Sequence, residues 1–315
     1  MVDDGPCFAK LSGIMTKITR NWLVVLCILV LPFLLFFGFF IYTLVGPLPP
    51  MQPLPNPNGY GDLVKAGQMV FNGTNDENTM NIEALQKLVD NNSNALQLAR
   101  FALQQQCQVP LEFSESFVGN HLVDLSVLKQ LAMAFEHEGI LAGRQNRPND
   151  AAKSYLDIFQ LGNDAARGGV LIDQLVGTAL EAIATSHLQK IADQLDAETC
   201  RETAAALENL DAQRQAWQQV VQQENDWSRR TFRGLGYEIA RLRAQKELRT
   251  SMQKAGKKFN GQIQKTRQLI IDLAARAYTL DKGHPPASAA DLVPNYLKAV
   301  PQDPFTGTNM VFFPK

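Results

Sequence analysis

Between Trp22 and Val45 the chain reads WLVVLCILVLPFLLFFGFFIYTLV, 24 residues without a charged side chain. At about 1.5 Å of rise per residue, a helix of this length spans the ~30 Å hydrocarbon core of a bilayer. No soluble helix needs so long an apolar run. A signal-peptide apolar region of ~7–15 residues is much shorter. The segment runs on into Gly46-Pro47-Leu48-Pro49-Pro50 and not into a compact small-residue cleavage site. An uncleaved transmembrane helix is therefore expected over 22–45. Trp22 and Tyr42 stand near its ends, as interfacial aromatics do. Pro32 is expected to kink it, and the five Phe between Phe33 and Phe40 are expected to face lipid, with a partner helix as the alternative.

Flanking charge orients the segment. Lys10, Lys17 and Arg20 precede it, and the first basic residue beyond it is Lys65. The positive-inside rule keeps 1–21 as a cytoplasmic tail and exports the body. The expected location is the cytoplasmic (inner) membrane, single-pass, with the C-terminal body in the periplasm.

The expected organisation beyond the anchor is mainly α. Residues 46–80 read as a Pro-rich linker and an irregular segment. Six prolines fall between Pro47 and Pro57, which favours a semi-rigid extended spacer. Little regular structure is expected over 62–78. Residues 81–262 read as a multi-helix domain. Ile82, Leu85, Val89, Leu96, Ala99 and Leu103 recur at helical spacing as far as Pro110, with Asn92 on the same stripe. A second helix is expected over about 121–144. A third is capped by Asn149 or Asp150 and pairs antiparallel with it. A fourth runs over about 171–195 and a fifth over about 199–223. Gly234, Gly236, Gly256 and Gly261 are expected to break the basic stretch after it. Residues 263–315 read as a helix to about Leu280 plus a small C-terminal α+β module.

Charge is unevenly spread. Between Asp226 and Arg267 twelve Lys or Arg face only Asp226, Glu238 and Glu247, a net of +9 in a chain of formal charge −1. Such a segment attracts phosphate-bearing surfaces. It is either a solvated helix face that pairs with acidic helices of its own domain, or it meets an anionic lipid surface, or another anionic partner, through 229–267. Nucleic acid is not expected on the exported side. Cys7 and Cys27 fall in the tail and the bilayer segment. Cys107 and Cys200 fall in the exported body, where an oxidising compartment permits a bridge and two buried thiols are the alternative.

The C-terminal string is Tyr278…Gly283-His284-Pro285-Pro286…Asp291-Leu292…Tyr296-Leu297…Pro301-Gln302-Asp303-Pro304…Gly307. Gly283 and the two prolines should stop a helix. Residues 287–297 should form a short helix and 309–313 a short strand. Asp303 can accept backbone N–H bonds in the turn stiffened by Pro301 and Pro304. The string resembles the C-terminal module of type II secretion major pseudopilins, as also appended to envelope proteins of planctomycete-type bacteria. The resemblance covers about 40 residues and implies a place in a type II secretion or pilus-like assembly. It does not extend to the N-terminus. The apolar segment lacks a prepilin cleavage site before it and a Glu within it, and a Pro-rich linker replaces the continuous helix. Some pseudopilins bind calcium in this loop, but Asp303 is the only carboxylate side chain between Val300 and Lys315, too few for a hard cation.

No catalytic motif emerges. The histidines His121, His137, His187 and His284 form no H-E-x-x-H, and no P-loop, G-x-S-x-G, G-x-G-x-x-G or C-x-x-C occurs. Glu136, His137 and Glu138 are adjacent, so on a helix they point in different directions. His187 reads as a hydrogen-bonded core histidine. No catalytic, cofactor or metal residue is assigned. The expected function is a membrane-anchored extracytoplasmic interaction or scaffold protein with envelope or secretion-system partners. The alternatives are a component of a type II secretion or pilus-like assembly, and an exported hydrolase whose site converges from His137, Glu136 or Glu181.

Overall fold

The computed structural model describes residues 30–39, 42, 50, 53–71, 73, 80–232 and 234–312. They are mainly α-helical, and no strand forms among them. The chain divides into two compact units. One comprises 1–50 with 233–243, the other 51–232 with 244–315. In the first, residues 30–39 are helical with exposed side chains, and Leu235–Arg243 is a second helix. No described helix is long and apolar enough to cross a membrane. Most of the expected transmembrane segment Trp22–Val45, and all of the tail 1–21, lie outside the described residues.

The second unit is built from α1 (Tyr60–Gln68), α2 (Ile82–Asn91), α3 (Ser93–Leu103), α4 (Phe117–Arg144), α5 (Pro148–Ala166), α6 (Leu171–Ile191), α7 (Ala197–Ala212), α8 (Trp217–Thr231) and α9 (Gln245–Lys282). Helix α1 corrects the expectation of an irregular segment after Asp62. Its Tyr60, Leu63 and Ala66 are buried. Asn58 anchors its start: its Oδ1 accepts from Tyr60 N at 3.2 Å and Gln108 N at 3.0 Å, and its Nδ2 donates to Gln108 O at 2.8 Å. Tyr60, Leu63 and Gly67 fall on one helical face, and their burial stabilises a helix too short to stand alone.

The first helical stripe is interrupted at Asn92, so α2 and α3 are separate helices. Asn92 is buried because its side chain pairs with the backbone of Phe71, accepting from N at 2.7 Å and donating to O at 3.1 Å. Helices α4 and α5 are joined by a tight turn in which Asn146 takes a left-handed φ of 56°. Pro148 occupies the first turn of α5, so neither Asn149 nor Asp150 is its cap. The ring of Tyr155 lies against Gly139 of α4. Helices α5 and α6 approach even more closely. A Cβ on Gly162 would lie 2.7 Å from the carbonyl oxygen of Gly177, so these two glycines bring the backbones into contact.

The expected fifth helix is two helices, α7 and α8. The turn between them carries Arg214 into the core. Helix α9 corrects the opposite error: Gly256 and Gly261 do not break it, and it runs for 38 residues. Each glycine costs a helix about 1 kcal/mol relative to Ala. Burial of Phe259, Ile263, Leu269, Ile270, Ile271 and Leu273 outweighs that. Gly256 also lets Trp217 lie against the helix.

Helix α9 ends at Gly283, in the left-handed conformation with φ 76°. The chain beyond Gly283 is not an α+β module among the described residues. The expected helix over 287–297 is a single 3-10 turn, Ala289–Leu292. The expected strand contributes only an isolated bridge, Gln302 to Asn309. The tail is held by individual polar contacts. Asp303 Oδ1 accepts from Phe305 N at 2.7 Å and Thr306 N at 3.1 Å, which holds its carboxyl below the usual carboxylate range. Gln264 donates to Asp303 Oδ2 at 2.6 Å, and Arg267 donates to Gln302 O at 2.6 Å.

Candidate functional site

The residues singled out in the sequence do not converge. Glu136 pairs with His187, Nε2 to Oε1 at 2.6 Å. Glu138 takes Arg100 and the Ser154 hydroxyl, which donates at 2.6 Å. Arg100 also reaches Asp157 at 2.7 Å and lies over the Phe135 ring. Glu181 is buried and pairs with Arg214. Burial raises the Glu181 carboxyl above its ordinary value, and Arg214 opposes that rise. Arg214 lies over Phe159 and Phe259, 5.8 Å from each ring centre. Its Nε donates to Asp211 at 3.3 Å, and Arg267 holds the other oxygen of Asp211 at 2.8 Å. This is a structural network that ties α5, α6 and α9 to the turn after α7. His284 packs edge-on against Tyr278 at 5.6 Å. Among the described residues no group of three or more His, Cys, Asp or Glu is placed to hold a metal ion.

A second buried pair has no sequence signal. His121 Nε2 meets Asp173 Oδ1, and both side chains are buried. The His121 ring stacks on Phe117 at 4.7 Å and on Tyr60 at 6.4 Å. Asp173 Oδ2 accepts from Val170 N at 2.7 Å. The two residues are 52 positions apart, a separation that helical periodicity does not address.

Two of the open surfaces formed by the described residues are charged or polar. The first is the leading part of α9. Lys246, Arg249, Lys254, Lys257 and Lys258 are exposed there and make no ion pair with any described residue. Glu247 is the one acid among them. In these turns no ion pair to an acidic helix of the same domain forms among the described residues. Elsewhere in the segment Arg241 pairs with Glu238 at 3.0 Å and Arg267 with Asp211 at 2.8 Å.

The second surface is a polar cleft of about 630 Å³. One wall is the segment after α3, Gln104-Gln105-Gln106-Cys107-Gln108. The other is the end of α5, with Gln160, Asp164 and Arg167. Asp164 is 3% exposed. Its Oδ1 pairs with Arg167 at 3.1 Å, while its Oδ2 has no hydrogen-bond partner. Burial pushes the Asp164 carboxyl up to about 6 against the pull of Arg167 and of the Gln160 amide. Cys107 is buried beside it, a free thiol pushed up to about 12 by that burial. Cys200 is also a buried free thiol, so these two cysteines are not bridged. The run of glutamines stands in the sequence as an unusual carboxamide cluster just past a helix end. Asp164 has no such signal, since it sits inside a helix with no motif around it.

No family model matches the chain, and no curated protein or solved structure matches it either.

Proposed function

We propose that this chain is a membrane-anchored, extracytoplasmic helical interaction protein that docks against an anionic lipid surface through the leading turns of α9. The uncharged span 22–45 and the basic tail before it support the anchor and its orientation. The observation that carries the docking is the set of five exposed cations, Lys246, Arg249, Lys254, Lys257 and Lys258, with no ion-pair partner among the described residues. Each basic residue near an anionic surface contributes about 1 kcal/mol, and the attraction fades within a Debye length.

The test uses the full chain in nanodiscs of neutral lipid, with added vesicles of phosphatidylcholine containing increasing phosphatidylglycerol. Vesicle capture should rise with the anionic fraction and collapse at high salt. Changing all five cations to Gln should abolish it. Capture that ignores both lipid charge and salt would defeat the proposal.

A further inference from the structure

We infer that the open face of α6, with the flank of α4 beside it, is a membrane-insertion surface. It enters the acyl boundary of the bilayer that holds the anchor, while cations on either side of it stay at the headgroups. The inference rests on the anchored reading above and adds an apolar component to it. In α6, Ile172, Leu175, Ala179 and Ile183 follow one another at three- and four-residue steps, and the last three are exposed. The two acids of this helix, Asp173 and Glu181, are buried and paired with His121 and Arg214. The open face therefore carries no negative charge. Helix α4 runs parallel to α6, since His121 meets Asp173 at one end and Glu136 meets His187 at the other. That register sets Leu122 beside the Leu175 end and Met133 beside the Ile183 end. Leu122 and Met133 are 47% and 48% exposed. An apolar face shared by two neighbouring helices marks an interaction surface, unlike scattered single residues.

The rim identifies what covers this face. Thr185 and His187 are two residues apart, so they point to opposite sides of α6. His187 faces α4, and Thr185 Oγ1 accepts from Gln262 Nε2 of α9 at 3.0 Å. Further along, Gln189 and Leu269 line one cleft, so α9 is parallel to α6 as well. Lys258 and Lys265 of α9 then stand level with 181–188 on one side, and Lys129 of α4 stands level with 180–181 on the other. All three are exposed and make no ion pair with any described residue. An apolar strip between two rows of cations matches an anionic bilayer. The apolar side chains of a surface-lying helix enter the headgroup and acyl boundary by about 5–10 Å. Lysine stems meanwhile extend back to the phosphates. A second copy of the chain would set cations against cations across a two-fold interface. The bilayer is also within reach. Val45 and Asn58 are separated by 13 positions, and a chain of that length spans at most about 45 Å.

The experiment places photoreactive benzoylphenylalanine at Leu175, at Ile183 or, as a control, at the exposed Phe101 of α3. Helix α3 meets α4 through Glu138, on the side opposite Glu136 and α6. The full chain is held in nanodiscs of phosphatidylcholine with phosphatidylglycerol, and mass spectrometry reads the adducts after irradiation. Positions 175 and 183 should give lipid adducts several-fold above position 101. Lys129→Gln with Lys265→Gln, neither among the five cations of α9 named above, should reduce them. Absence of lipid adducts, equal adducts at position 101, or adducts between two copies would each overturn the inference. So would a dominant protein adduct at both positions when the same variants are irradiated in whole cell membranes. Vesicle capture is read separately. Capture without lipid adducts removes insertion and leaves docking through α9 standing, whereas adducts without capture support insertion and remove that docking alone.

Discussion

His187 of α6 faces Glu136 of α4, with Nε2 2.6 Å from Oε1, and the ring of Tyr155 from α5 stacks on the same imidazole at 4.6 Å. One side chain thus joins three helices. Both partners are largely buried, at 19% and 16% side-chain exposure, so the contact is shielded from water. His187→Ala should destabilise the protein by about 2–3 kcal/mol, the range for a hydrogen bond to a charged group plus lost packing. Glu136→Gln should cost less. Urea unfolding of both single variants and the double variant gives the coupling. Strict additivity would mean the two residues do not act together.

The buried Asp164 makes stability depend on pH. Its folded value, about 6, lies above the ordinary 3.8. Between those values the folded protein holds a proton that the unfolded chain releases. Stability should therefore be greatest below about pH 4 with respect to this group, and fall as pH rises toward 6. The full effect is bounded by about 3 kcal/mol, since one pKa unit corresponds to about 1.4 kcal/mol. Asp164→Asn should flatten this part of the curve, measured by urea unfolding between pH 4 and 7. An unchanged slope would show that the carboxyl is not perturbed.

Two glycines in helices should respond oppositely to the same change. Gly177→Ala places a methyl against the backbone carbonyl of Gly162, which has no rotamer to escape. A loss of about 3 kcal/mol is expected from overpacking. Gly261→Ala, in α9, meets nothing within 4 Å. It should stabilise the protein by about 0.5–1 kcal/mol through helix propensity. Thermal unfolding of the two variants should move in opposite directions.

Arg214 is the cation buried with Glu181. Arg214→Met leaves Glu181 without its partner in the core, and a loss of about 3–5 kcal/mol is expected. Adding Glu181→Met should recover part of it, because no lone charge remains. If the double variant is no better than the single one, the stacking of Arg214 on Phe159 and Phe259 outweighs its charge pairing.

Much of the helical body was legible from local pattern. The stripes that form α4, α5 and α6 are strings of apolar residues at three- and four-residue steps, and helix ends carry their own signals, as at Gly283. The errors have a common origin. Asn92 interrupts a clean stripe because its side chain satisfies the backbone of Phe71. Gly256 and Gly261 fail to break α9 because burial of Phe259 and Ile263 outweighs two local penalties. Residues 309–312 extend past Asn309 without joining a sheet, since a strand needs a partner edge and the described chain offers only Gln302.

What the sequence determined by itself was the set of quantities carried by neighbours in the chain: helix content, an uncharged segment of bilayer length, and a basic stretch around 229–267. Tertiary structure alone decided which of those charges are neutralised. Arg267 is met by Asp211 from 56 positions away, while Lys246, Arg249, Lys254, Lys257 and Lys258 find no such partner among the described residues. It alone decided that His121 meets Asp173, and that one oxygen of Asp164 is left unpaired beneath a wall of glutamines. The reason is physical. Periodicity reports which face of a helix is apolar, whereas burial and pairing depend on which distant backbone is packed against that face.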